Sequence, residues 1–344
     1  MSNILSQIAP NVGYKTSSGF ETLNYQIMTD LNTSTEAPNT SETAIGFIPC
    51  YRLPFLSLYQ IDVLEGLKNI PDKSQDLIIA DTPYYKAINE SWDKQWKTEA
   101  EYLDWWKLWF NECVRVLKDT GSFYCYGNFD ILSKQKVLIF DKQLNFRQNI
   151  TLNKGLKSIA GRTSDKLRMY PTASEQLLFY INDTMPKIRN LLKEKRLQKG
   201  YTIKQMANFM GVYTALYGFY EQNNTGSQVP TLEQWDKIRL ILEIDIDYSI
   251  IQNTFNLPIA ITDVWDFTPD KVRYGHPTQK PQDICQRIIK ASSNENDNIL
   301  IPFAGSGSEI VGCKELKRNC IAFEIESKYI DIIKQRTNDA GKLF

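Results

Sequence analysis

An aspartate placed where an apolar strand gives way to a loop can hold or take a proton, and this chain carries one at Asp81. Leu77-Ile78-Ile79-Ala80 runs into Asp81-Thr82-Pro83-Tyr84-Tyr85, so a carboxylate and two phenol rings follow the strand end. Such a carboxylate is suited to general acid–base work. Far downstream, Ile299-Leu300-Ile301-Pro302 opens into Phe303-Ala304-Gly305-Ser306-Gly307-Ser308. Gly305 and Gly307 permit a tight turn and let backbone amides approach a ligand with no Cβ in the way. A strand, a Gly-rich turn and a helix together cradle a ligand at the strand's carboxyl end. An acid on the next strand typically grips ribose hydroxyls about 20 residues on. Glu324, closing Cys320-Ile321-Ala322-Phe323, stands there, and Glu326 competes for the role. Gly307 lacks the following Lys-Ser/Thr pair of a phosphate-loop nucleotidase. Upstream lies His276-Pro277-Thr278-Gln279-Lys280-Pro281. Its prolines stiffen it, and Thr278 and Lys280 suit a carboxylate by hydrogen bond and charge. His276, the one histidine, is given no proton-transfer role.

The elements around these loops alternate. Short apolar runs at Leu56–Ile61, Asp76–Ala80, Ser122–Tyr126, Gln176–Ile181, Asn298–Pro302 and Asn319–Phe323 read as strands. Tyr102, Trp105, Trp106, Trp109, Phe110, Cys113, Val114 and Leu117 recur at helical spacing and predict an amphipathic helix over Glu99–Leu117. Its aromatics read as core, and Asp119-Thr120-Gly121 reads as its end. Further helices are expected at 63–68, 281–291 and 309–316. Strands alternating with helices imply a parallel, doubly wound, Rossmann-like α/β sheet. The alternation stops near Pro186 and resumes near Ile259, which marks a mostly helical insert.

Composition narrows the class. The 344 residues are enough for about two domains, and no apolar run approaches the roughly 20 residues that span a bilayer. Met1 to Pro10 lacks the pattern of a signal peptide. The six cysteines form no C-x-x-C pair, and most lie in apolar runs, which fits a reduced cytoplasmic protein without structural zinc or another bound metal. Forty basic and forty acidic residues cancel, but the bases cluster. Lys154, Lys157, Arg162, Lys166 and Arg168 crowd one segment; Lys187, Arg189, Lys193, Lys195, Arg196, Lys199 and Lys204 crowd another. A basic stripe attracts phosphates whatever the net charge; the plainer alternative is a solvated helix face.

At this point the chain resembles a known family, the β-class amino-methyltransferases that modify adenine N6 or cytosine N4 in DNA. Asp81-Thr82-Pro83-Tyr84 looks like the catalytic Asp-Pro-Pro-Tyr loop, and Phe303 to Ser308 like the Phe-x-Gly-Ser-Gly cofactor loop. His276 to Pro281 looks like the linked His-Pro-Thr-x-Lys-Pro element. Gln60-Ile61-Asp62 looks like the family's Gly-Asp turn, whose Asp meets the cofactor adenine. The resemblance spans roughly residues 55–182 and 259–338, and the order of motifs is far more specific than any one of them. Two positions depart from the pattern. Thr82 replaces the first proline of the catalytic loop, and Ile301 replaces the acid that begins the cofactor loop and orders the methionine amine.

The resemblance implies an enzyme moving a methyl group from S-adenosylmethionine to a base flipped out of double-stranded DNA. The cofactor would meet Asp62, Asp81, His276, Thr278, Lys280, Phe303, Ala304, Gly305, Ser306, Gly307 and Glu324. The Asp81 carboxylate and Thr82 carbonyl would face the amino hydrogens while Tyr84 stacks on the base. Asp at position 81 favours adenine N6 over cytosine N4. Lys154, Lys157, Arg162, Arg168, Arg189, Lys195, Arg196 and Lys199 would hold DNA, mostly at its phosphates. The implied layout is an N-terminal arm, partly disordered, over 1–50, a catalytic half over 51–186, a target-recognition insert over 187–258 and a cofactor-binding half over 259–344. Within the insert, Thr202 and Gly211 bracket one helix, Tyr213–Glu221 a second, and Pro230-Thr231 opens a third through Leu242, which looks like a phage-repressor helix-turn-helix; the plainer alternative is a generic helical insert with an aromatic core. A homodimer and a cognate restriction endonuclease stay open as partners. So does the alternative of a DNA-binding regulator with weakened catalysis.

Overall fold

The structure is a computed structural model that describes residues 47–85, 95–155, 159, 168–223, 228–256 and 261–340. One nine-stranded sheet organises them, in the order β1-β2-β9-β8-β3-β4-β6-β5-β7. The strands are β1 (Tyr51–Leu53), β2 (Leu56–Gln60), β3 (Gln75–Ala80), β4 (Leu117–Gly127), β5 (Asn145–Asn153), β6 (Ser174–Ile181), β7 (Val264–Asp266), β8 (Asn298–Ile301) and β9 (Asn319–Glu324). β2, β9, β8, β3 and β4 run parallel. A parallel, doubly wound sheet was the expectation, and these five strands form it; at the flanks β1 pairs antiparallel with β2, and β6 runs antiparallel to both β4 and β5. β5 escapes the sequence pattern because only Ile150 and Leu152 of its nine residues are buried.

Helices cover both faces, as an apolar central strand such as β3 requires. α1 (Val63–Leu67), α2 (Glu99–Val116) and α3 (Phe129–Leu138) belong to the first half. α8 (Gln282–Ser292), α9 (Ser308–Glu315) and α10 (Ser327–Asp339) follow the insert. Alternate strand residues feed opposite faces. Ile78, Ala80 and Leu300 pack with Trp106, Trp109 and Phe110 of α2, while Leu77, Ile79, Ile299 and Ile301 pack with Ile288, Ile310 and Ile333 of α8, α9 and α10. Asp119-Thr120-Gly121 does not end α2 in a turn of its own. It lies inside β4, where Leu117 pairs with Gln75 but Ser122 already pairs with Leu77, so the residues between bulge out of register.

The insert is helical as expected: α4 (Met185–Gln198), α5 (Ile203–Met210), α6 (Thr214–Glu221) and α7 (Leu232–Leu242). Thr202 and Thr231 cap α5 and α7 in reciprocal capping boxes with Gln205 and Gln234. Gly211 ends α5 at φ 69°. Both chain ends of the insert are fixed near one place. Thr184 Oγ1 donates to the Ile250 carbonyl at 2.6 Å, and Asn253 Nδ2 donates to Thr120 and Asn182 carbonyls at 2.8 and 2.9 Å. That place is the amino end of the parallel strands, since Ile181 pairs with Ser122. Among the described residues no helix is long and apolar enough to cross a membrane.

Candidate active site

β8 and β3 are hydrogen-bonded neighbours whose connections leave in opposite directions, β8 through α9 to β9 and β3 through α2 to β4. This makes a topological switch point, where the loops after two adjacent strands part and leave a crevice. The loop after β3 carries Asp81 and the loop after β8 carries Gly305 and Gly307. Both line one cavity of about 340 Å³. Its wall also holds Asp62, Thr82, Pro83, Tyr84, His276, Thr278, Lys280, Phe303, Ala304, Ser306 and Glu324, so the structure brings these expected residues together. Gly307 stands outside that lining and shapes the turn from behind, where its N–H donates to the Ala304 carbonyl at 2.7 Å.

The catalytic loop is held from several sides. Lys280, 3% exposed, places Nζ 2.8 Å from Asp81 Oδ1 and 3.0 Å from Glu175 Oε1. Tyr84 donates its hydroxyl to Glu175 and lies 3.1 Å from Asp81 Oδ1. Lys154 closes the cluster at 2.8 Å from Glu175 Oε2. Two acids and two cations thus neutralise each other, with Lys280 and Glu175 buried and Lys154 reaching in from the surface. Burial raises the Asp81 carboxyl above its usual range, with Lys280 offsetting only part of the effect. Burial acts on Glu175 in the same sense, but Lys280 and Lys154 outweigh it and hold that carboxyl well below its usual value. Asp81 is therefore the better proton acceptor of the pair. Tyr102, from α2, donates its hydroxyl to the Pro83 carbonyl at 2.8 Å. This bond holds the loop where Thr82 forgoes the stiffness of proline.

The cofactor loop is shaped by positive φ at Gly305 (49°) and Gly307 (77°). A Cβ on Gly305 would sit 3.1 Å from His276 Nε2, and one on Gly307 would sit 2.8 Å from Ile333 Cγ1. Gly307→Ala should therefore cost about 2–4 kcal/mol, combining left-handed backbone strain with overpacking. Gly211→Ala, also at positive φ but with open space around it, should cost only the backbone part, about 1–2 kcal/mol. Urea unfolding of both variants checks the difference, and equal losses would remove the close approach to Ile333 from the argument. Arg336 of α10 clamps the same loop through the Ser306 carbonyl at 3.0 Å and Ser308 Oγ at 3.0 Å. Ser308 Oγ in turn donates to the Lys280 carbonyl at 2.7 Å, tying the glycine turn to the 276–281 element.

Glu324 lies at the cavity as expected, and its carboxylate does a prior job. It accepts the N–H of Gly305 at 2.7 Å, of Ile325 at 2.9 Å and of Glu326 at 2.8 Å. Three of about four lone-pair sites are used, which leaves one for a ligand hydroxyl. Burial lifts its carboxyl to about 7 despite those donors. Asp62 caps α1 by accepting the Leu64 N–H at 2.9 Å. Burial and then nearby Lys280 push His276 down to about 4, so at neutral pH it is an uncharged ring, tilted against Tyr329 with centroids 4.4 Å apart.

The basic stripes are corrected in part. Lys154 turns inward to Glu175. Arg189 and Arg196 are buried, and Arg196 forms a bidentate pair with Glu221 of α6, because both sit on the face of α4 that also carries Ile188 and Leu192. Lys199 pairs with Glu243 at 2.7 Å. Lys195 is half-buried and Arg168 exposed. Lys157 and Arg162 lie outside the described residues. Glu175 and Glu309 were missed by the sequence reading, as was Trp105, which lines the cavity while Trp106 and Trp109 are core.

The cavity's chemistry is one-sided. Among the described residues, Asp62, Asp81, Glu309, Glu324 and Glu326 line it against a single cation, Lys280, already shared between two acids. Such a lining favours a ligand with a sugar and positive charge, and disfavours a polyphosphate.

Comparison with known proteins agrees with this geometry. A family model described as DNA methylase, N6_N4_Mtase, matches residues 75–335, and the chain belongs to that family. The type II methyltransferase M.HpaI of Haemophilus parainfluenzae is 28% identical over 282 residues, covering 80% of this chain and 72% of that one. The DNA adenine methyltransferase YhdJ of Escherichia coli (strain K12) is 30% identical over 290 residues, covering 81% and 82%. Among solved structures, the cytosine-N4-specific PvuII DNA methyltransferase superposes with a TM-score of 0.56 at 14% identity, over 85% of this chain and 89% of that one, which is a likeness of fold.

Proposed function

We propose that this protein transfers a methyl group from S-adenosylmethionine to the N6 amino group of adenine in double-stranded DNA. The observation that carries the reading is the meeting of the Asp81 loop and the glycine turn in one cavity at the switch point. The acidic lining suits a cofactor that brings a sulfonium and an ammonium, and glycine at 305 keeps clear the space that a Cβ would take beside His276. Adenine is favoured by Asp at position 81 and by the likeness to YhdJ.

Bound cofactor supplies an electrophilic methyl group; the chain's own residues prepare the nucleophile. An exocyclic amine has its lone pair delocalised into the ring. The Asp81 carboxylate and Thr82 carbonyl accept its two hydrogens and draw the nitrogen toward a pyramidal geometry. The Pro83 carbonyl, engaged by Tyr102, is not free to compete. Asp81, raised by burial, is suited to receive the departing proton. Tyr84, tethered through its hydroxyl to Glu175, offers its ring to a base that has left the duplex.

DNA approach is assigned to the carboxyl end of the sheet. The connection between β5 and β6 emerges there, since Asn153 pairs with Ser174 at the end of the sheet where Asp81 follows Ala80. In it Arg168, Met169 and Tyr170 are exposed, the last at 95%. The insert is rooted at the opposite, amino end of the strands, so its proposed part in sequence choice, with Lys195 on α4, is on duplex away from the flipped base. The likeness to M.HpaI makes a cognate restriction endonuclease the fitting functional partner.

The test is incubation with tritiated cofactor and mixed genomic DNA, followed by digestion to nucleosides. Label in N6-methyl-2′-deoxyadenosine is expected. Label confined to cytosine would replace the target base, and absence of transfer alongside firm DNA binding would favour the regulator.

A further inference from the structure

Among the described residues, one carboxylate of the cavity has no cation beside it. Glu309 is the second residue of α9, directly after the glycine turn; its side chain is 4% exposed and lines the cavity. No basic side chain lies within ion-pair distance of it among the described residues. Its side-chain partner among those residues is the Cys285 thiol, a weak donor 3.5 Å from Oε1. Burial, reinforced by the nearby Asp81 charge, lifts its carboxyl to about 7. Lys280 is close enough to be felt but is already held between Asp81 and Glu175. A buried acid in this condition is costly to keep ionised, and a cationic ligand group would supply the counter-charge that the described residues do not.

Position selects which part of the ligand. One end of the cavity is built by Asp62, Phe323, Glu324, Ile325 and Glu326, where a nucleoside would lie. The other is built by Asp81, Lys280, Ser306 and Glu309, and Ser308 Oγ ties the backbone beside Glu309 to Lys280. The acid that the family pattern has at position 301 is here Ile301, fully packed into the core. Positions 301 and 309 flank the same loop, one at the end of β8 and one at the start of α9. A sulfonium donates no hydrogen bond, whereas an ammonium donates three, so a paired carboxylate suits the ammonium better.

We propose that Glu309 binds the α-ammonium of the cofactor's methionine moiety, taking the role left empty by Ile301. This rests on the S-adenosylmethionine reading above. Glu309 touches the ligand's amino-acid tail and has no part in proton transfer from the base.

Calorimetric titration of the full chain with three ligands tests it: S-adenosylmethionine, S-adenosylhomocysteine, and 5′-methylthioadenosine, which keeps the nucleoside and lacks the amino-acid tail. Glu309→Gln preserves shape and should weaken the first two by about 10- to 100-fold, the worth of a charge-assisted buried hydrogen bond. Its affinity for 5′-methylthioadenosine should change by less than about threefold, a result that also certifies the variant as folded. In wild type, S-adenosylhomocysteine should release more protons near pH 7 than 5′-methylthioadenosine does, as a half-protonated acid becomes ionised; Glu309→Gln should abolish the difference. Equal losses for all three ligands, or no loss for any, would overturn the proposal. Wild type failing to bind any of them would overturn the cofactor reading and this inference together, whereas firm wild-type binding with an indifferent variant would overturn this inference alone.

Discussion

Alanine at position 81 should reduce methyl transfer by about 10³-fold or more, with a much smaller loss of cofactor affinity. The size follows from two losses at one atom set: a preorganised acceptor facing developing charge, and the proton acceptor itself, each typically worth about 10²–10³-fold or more. Binding survives because Asp81 stands on the catalytic loop, and Lys280 keeps Glu175 as a partner when Asp81 is gone. Single-turnover rates with saturating cofactor, beside calorimetric binding, separate the two effects. Glu324→Gln should do the reverse, since that carboxylate fixes the Gly305 amide and faces the cavity: weaker cofactor, milder loss of rate at saturation. Retention of more than a tenth of the wild-type rate in the alanine variant would remove Asp81 from the chemistry.

The part of this geometry legible in the sequence was the part written in local pattern. β3, β8 and β9 are nearly continuous apolar runs because they are buried on both faces, and each hands over to the residues that matter at its carboxyl end. α2 announced itself through aromatics at helical spacing. The helices of the insert were bracketed by the threonines and glycine that cap them. What stayed hidden depends on partners distant in the chain. Glu175 looks like an ordinary polar residue near the start of an apolar strand, yet Lys154 and Lys280 make it the anchor of the catalytic cluster. Arg196 looks like one more base in a stripe until Glu221 is folded against it. For this pair a local signal did exist, since Arg189 and Arg196 are seven apart on the apolar side of α4. β5 could not be read at all, because an edge region with two buried side chains has no clear alternation.

Methionine at position 280 should destabilise the fold by about 3–5 kcal/mol at pH 8, the usual cost of leaving a buried ion pair half dismantled. Lys280 is nearly inaccessible and sits between Asp81 and Glu175; without it two carboxylates share a dry pocket with Lys154 alone. The pH dependence carries a definite sign. Burial already holds the Asp81 carboxyl above its unfolded value, with Lys280 as the main offset, so removing Lys280 raises it further. A carboxyl whose folded pKa is raised destabilises the fold at pH above that pKa, and the penalty fades as pH falls toward the unfolded value and the group binds a proton. The variant's deficit should therefore shrink between pH 8 and pH 5. Adding Glu175→Gln to Lys280→Met should recover part of the loss at pH 8, because the second acid no longer needs a counter-ion. Urea unfolding of the single and double variants at both pH values measures all three effects. A deficit below about 1 kcal/mol, independent of pH, would mean that water and not Lys280 neutralises this cluster, and the tether that holds Tyr84 and Asp81 in register would have to be sought elsewhere.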